Sequence, residues 1–171
     1  MTVQTAQAPT PAKGESLSPS RHPSHLLAKV WTNFDAILSD MDFQYELSLL
    51  NISGWQFFIR KRLSEEFEAL TIALWRLALE RSFPEDWQRI LSAFMDVRRA
   101  RIARAPAREA FTSKVATYLS IVERRREADF IEPAGYLVEL AEVNAKQAQS
   151  VRLKLALHLR IVYNHLFDRL F

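Results

Sequence analysis

The sequence predicts an all-α fold, a single-domain bundle of five to seven helices over residues 24–171 behind a disordered tail over 1–23. Three observations lead there. Apolar residues recur at spacings of three and four along most of the chain, the period of a helix with one buried face. After residue 23 only two glycines remain, Gly54 and Gly135. The three prolines of the same stretch, Pro84, Pro106 and Pro133, each fall where a helix can begin. With 171 residues, 49% of them apolar, the chain has material for one domain with a sizeable core.

The tail holds four of the seven prolines together with Ser, Thr, Ala and Gln, too little apolar surface to offset the entropy of ordering. It has no continuous apolar stretch after a basic start, so no secretory signal is expected. A first helix is predicted near 24–41 from Leu27, Val30, Phe34, Ile37 and Met41. Residues 42–52 admit two readings: Phe43, Leu47 and Leu50 are spaced for a short helix, whereas Ser39, Asp40 and Asp42 favour a break. Ser53 with Gln56 three residues on has the form of a capping box, predicting a helix to about Arg81 whose buried face includes Trp55, Phe58, Leu63, Phe67, Leu70, Leu74 and Leu77. From Leu70 to Leu79 only Thr71 and Arg76 are polar. A helix with so little solvent face is either central in its bundle or covered by another subunit.

Ser82 with Glu85, and Pro84 inside the first turn, predicts the next start, with Trp87, Ile90, Leu91, Phe94 and Met95 buried. That helix should fray after Ile102. Pro106 then opens a helix carrying Phe111, Val115, Tyr118, Leu119 and Val122 and ending in Arg124-Arg125-Arg126. Asp129, Glu132 and Pro133 start a shorter helix with Tyr136, Leu137 and Leu140. The last, about 147–171, buries Val151, Leu155, Leu159, Val162, Leu166 and Leu170. Tyr163, Ala156, Phe167 and Phe171 widen its apolar face, and Lys154, His158 and His165 fall on one polar strip.

Several chemistries are excluded. With no cysteine there is no disulfide, thiolate metal site or Cys nucleophile. None of the four histidines, His22, His25, His158 and His165, follows a Glu at the spacing a carboxylate-bridged metal pair uses, and His158 and His165 lie too far apart along a helix to share one ion. No Gly-rich phosphate loop or nucleophile elbow is present. Glu65, Glu66 and Glu68 follow Arg60, Lys61 and Arg62, and Arg62 to Glu66 is an i,i+4 pair, so these residues read as a solvated salt-linked face. No catalytic residue and no cofactor is nominated. Apolar runs stop short of the about 18 residues a membrane span needs, giving the expectation of a soluble, cytoplasmic protein without membrane insertion.

Charge supplies the one functional signal. The formal total is +3, but the net charge is −4 over 24–97 and +7 over 98–126. Arg98, Arg99, Arg101, Arg104 and Arg108 cluster about one helix end and the following loop, and Arg124, Arg125 and Arg126 about another. Cations at helix C-termini are favoured by the dipole alone, so their position has a structural explanation as well. As a functional reading they form a surface for an acidic protein partner. The expectation is thus a non-enzymatic interaction, assembly or regulatory protein acting through helical surfaces and this Arg-rich patch, with self-association as one form of it. A nucleic-acid-binding regulator using 98–126 comes second, and an all-α enzyme or small-ligand protein with an unrecognised pocket third.

Overall fold

In the computed structural model the described residues, 23–124 and 129–170, form seven α-helices and no strand: α1 (Pro23–Asp40), α2 (Gln44–Leu49), α3 (Phe57–Ser82), α4 (Trp87–Ala100), α5 (Ala105–Glu123), α6 (Ile131–Leu140) and α7 (Ala145–Asp168). The expected tail lies outside these residues except for Pro23, which opens α1, and so do Arg125, Arg126 and Phe171.

The 26-residue α3 is the axis of the bundle. α2, α4, α5, α6 and α7 all pack on α3, and its section from Ala69 to Leu79 is almost fully enclosed. Of the two explanations for its apolar circumference, the central position holds, and no second subunit is needed. α4 runs antiparallel to α3, since Glu68 meets Arg98 whereas Arg76 meets Trp87. α5 runs parallel to α3, with Lys114 against Glu65 and Glu123 against Arg76. Three rings fasten α1 to this frame. Phe34 stacks flat on Trp75 at 4.0 Å between centroids, and Phe94 of α4 meets both edge-on at 5.0 and 5.2 Å. Such contacts add stability beyond the area they bury.

Residues 42–52 resolve into a separate short helix. The Asp42 carboxylate accepts the Gln44 amide at 3.0 Å, and Phe43 takes a left-handed φ of 54° that no α-helix continues through. Burial of the Phe43 ring against Phe67, 5.8 Å between centroids, offsets that conformation.

Two predicted helix starts need correction. At Ser53 the Gln56 side chain does reach back, accepting from the Ser53 amide at 2.9 Å, but the Ser53 hydroxyl turns to the same oxygen instead of capping, and the helix begins only at Phe57. The pair closes a turn rather than a capping box. As a result Trp55 and Phe58, expected on the buried face, are 84% and 85% exposed. Ser82 is the last residue of α3 rather than the cap of α4, which begins at Trp87 after a turn containing Pro84. Asp129 does open α6, accepting the Ile131 amide at 3.0 Å, and Asn144, not anticipated, caps α7 by accepting from Lys146 at 3.0 Å.

Candidate functional site

The first five arginines of the predicted patch lie around the α4–α5 corner, but not in one state. Arg98 turns inward: its Nε and Nη2 donate to Glu68 Oε1 at 3.0 and 2.6 Å, and its Nη1 lies 3.7 Å from Asp35. Arg101 donates to the other oxygen of Asp35 at 2.6 Å. These two arginines thereby tie α4 to α1 and α3. Arg99, Arg104 and Arg108 are exposed and make no ion pair among the described residues. Arg124, at the C-cap of α5, lies 3.5 Å from Glu132 and donates to the Ser120 carbonyl. Arg108 and Arg124 stand at opposite ends of the 19-residue α5, so among the described residues the two clusters do not meet.

The acidic cluster is not the solvated local face that its spacing suggests. Lys114 donates to Glu65 at 2.7 Å and lies 3.2 Å from Glu66, and Glu68 is held by Arg98. Arg62 does not reach Glu66; it donates to the Leu140 carbonyl at 2.8 Å. Burial lowers the pKa of Lys114, but Glu65 and Glu66 outweigh it, and the result stands above 10.5. The fully enclosed hydroxyl of Tyr118 makes no hydrogen bond of normal geometry, and burial, with the charge of Glu66 second, raises its pKa well above the ordinary tyrosine value. Around these ion pairs lies a cleft of about 550 Å³ lined by Glu65, Glu68, Arg98, Arg101, Phe111 and Lys114 among others. Its acids and bases are committed to each other, leaving no unpaired nucleophile–base couple.

α7 carries a feature that the periodicity reading missed. Val151, Leu155, Leu159, Tyr163 and Leu166 fill the core as expected. On the opposite side Leu153, Leu157 and Ile161 form a second apolar row, 45%, 63% and 65% exposed. At 100° per residue Leu157 is about 160° from Leu155, so one helix has two apolar faces. The i,i+4,i+8 spacing of the row was the available signal. At Ile161 the row meets a groove of about 800 Å³ between α1 and α7, whose walls include Ile37, Met41, Val162 and His165. Lys146, Lys154 and Arg160 flank the outer face. The expected polar strip divides: His165 is exposed at the groove, whereas His158 is partly buried, 2.8 Å from Glu46 of α2 and against the Tyr45 ring.

No group of three or more His, Cys, Asp or Glu side chains is placed to hold a metal among the described residues. Among the same residues no helix is long and apolar enough to cross a membrane. Comparison of the chain with known protein families, curated proteins and solved structures finds no match.

Proposed function

We propose that this is a non-catalytic interaction protein that receives an acidic, amphipathic segment of another protein on the outer face of α7. The observation that carries the reading is the row Leu153, Leu157 and Ile161, exposed on a helix whose opposite face already completes the core. Contiguous apolar surface beside a groove is uncommon on a monomer unless something covers it. A partner helix laid along the row would bury its own apolar stripe there and set carboxylates against Lys146 and Lys154. Arg99, Arg104 and Arg108, exposed at the α4–α5 corner, offer a second contact for acidic groups.

The test compares wild type with Leu157→Glu/Ile161→Glu in capture from native extract and in sedimentation. Because both side chains point outward, the variant should melt within about 0.5 kcal/mol of wild type. Loss of the captured protein, with folding intact, supports the reading. A wild type that sediments as a monomer and captures the same proteins as the variant overturns it. Retained nucleic acid whose affinity falls steeply with salt would instead place the chain among phosphate-binding proteins.

A further inference from the structure

The turn between α2 and α3, with the first two residues of α3, exposes three large aromatic rings. Trp55 is 84% exposed, Phe57 66% and Phe58 85%, with the two phenylalanine rings 5.8 Å apart and edge to face. Their exposure is not the result of a slack loop. The Gln56 side chain is bonded to Ser53, the Gln56 amide donates to the Ser53 carbonyl at 3.1 Å, and Arg60 reaches back to the Ile52 carbonyl and the Gln44 side chain. A turn braced at both ends presents these rings to solvent, against the hydrophobic effect.

The cations beside them form no ion pair among the described residues. Among the described residues Arg60 bonds to neutral oxygens, Arg62 bonds to the Leu140 carbonyl, and the exposed Lys61 makes no ion pair. Of the carboxylates close in sequence, Glu65 and Glu66 take Lys114 and Glu68 takes Arg98, while Asp42 accepts the Gln44 amide and keeps its charge. Three cations thus stand next to three projecting rings with no ion pair of their own among the described residues.

We infer that this turn docks the protein on an anionic lipid surface, Trp55, Phe57 and Phe58 entering the headgroup region while Arg60, Lys61 and Arg62 lie against the negative charge. Trp suits that depth because its ring is apolar and its N–H still finds a partner there, and clustered Lys and Arg supply the attraction. Single-stranded nucleic acid also combines rings with cations. Its stacking platforms, however, lie flat on the protein with one face covered. Trp55 and Phe58, more than four-fifths exposed, stand out from the protein instead of lying flat on it, and Phe57 meets Phe58 edge to face, so the rings project as a wedge. The contact is peripheral and requires no helix to cross the bilayer.

The experiment is flotation of the full chain with phosphatidylcholine vesicles, with and without phosphatidylserine, at about 0.1 M salt. Wild type should float with the phosphatidylserine vesicles and shift its tryptophan emission to the blue. Trp55→Ala/Phe58→Ala should weaken that binding at least about tenfold. Lys61→Gln/Arg62→Gln should weaken it about thirtyfold on anionic vesicles and not on neutral ones. Thermal melting of both variants should match wild type, and Phe58→Ser alone serves if the double aromatic variant melts low. The inference is overturned if wild type ignores anionic vesicles, or if the aromatic variants bind them as well as wild type does. It is equally overturned by preferential binding of a single-stranded oligonucleotide, or by a dimer that Trp55→Ala/Phe58→Ala dissolves while vesicles are ignored.

Discussion

The α4–α5 corner and the α2–α3 turn both place aromatic and basic residues close together, and the fold treats them oppositely. At the corner, Arg98, Arg101 and Lys114 are met by Asp35, Glu65, Glu66 and Glu68. At the turn, Arg60, Lys61 and Arg62 form no ion pair among the described residues, and Trp55, Phe57 and Phe58 meet solvent. The two outcomes are linked. Glu65, Glu66 and Glu68 follow the turn's cations in sequence but are turned by the α3 helix toward α4 and α5. Asp35 comes from α1, but Glu65, Glu66 and Glu68 neutralise the corner at the expense of the turn. A local excess of basic residues therefore predicts a free basic surface only when the carboxylates that long-range packing brings to it are counted as well.

The sharpest way to break this comparison is to exchange the roles of its rings. Phe34→Ala removes a ring wedged between Trp75 and Phe94 in the core that backs the corner, and should destabilise by about 3–5 kcal/mol. Phe58→Ala, at a ring 85% exposed, should change stability by less than about 0.5 kcal/mol. Urea unfolding followed by circular dichroism measures both. Comparable losses in the two variants would mean that the turn is packed in solution and that its exposure is not a standing feature of the fold.

Much of the architecture was legible because helical periodicity is a local property. The helices carrying Phe34, Phe94, Tyr118 and Leu155 follow from spacing and from the rarity of Gly and Pro, whereas for the 70–79 section the spacing shows burial but leaves open whether the bundle or a second subunit supplies it. What sequence could not supply was competition between partners. The Ser53–Gln56 spacing fits a capping box, yet the Gln56 amide that the serine hydroxyl would accept donates to the Ser53 carbonyl instead, so the helix starts at Phe57 and Trp55 is left outside. Arg62 to Glu66 fits an i,i+4 pair, worth only about 0.2–0.5 kcal/mol on a helix surface. Lys114, 48 residues on from Glu66, displaces it because its site is partly enclosed and charges attract more strongly there. The second row of α7 was passed over for another reason: once one face accounts for burial, periodicity gives no prompt to search the other.

The next largest effect concerns the arginines themselves. Arg98 and Glu68 are both about three-quarters covered, so Arg98→Met should cost about 2 kcal/mol, part of it from leaving Glu68 and Asp35 without their partner. Arg104→Met, at an exposed residue without an ion pair, should cost less than about 0.5 kcal/mol. A double-mutant cycle of Arg98→Met with Glu68→Gln should return a coupling of about 1 kcal/mol or more. Additive losses would show that the pair is incidental and would return Arg98 to the exposed patch as a partner-binding residue.

The smallest effect separates the corner from the turn by pH. Lys114 and the enclosed Tyr118 both have pKa values raised in the folded chain, the first by Glu65 and Glu66 against the burial, the second by burial with the charge of Glu66 behind it. A raised value means that the native state holds the proton more tightly than the unfolded chain. The stability from each group is complete below its ordinary value, 10.5 and 10.0 respectively, and is lost as pH rises through the raised one. Melting temperature should therefore hold steady through pH 9 and fall from about pH 10 upward. Tyr118→Phe removes a hydroxyl that makes no hydrogen bond of normal geometry, so at neutral pH it should leave stability within about 1 kcal/mol of wild type, while making the alkaline fall shallower. Lys114→Gln should lower stability at neutral pH, where Glu65 and Glu66 lose their cation, and flatten the alkaline fall further. If the fall keeps its full steepness in the double variant, the network at the corner is not what titrates, and the carboxylates withdrawn from the turn are held there by packing rather than by charge.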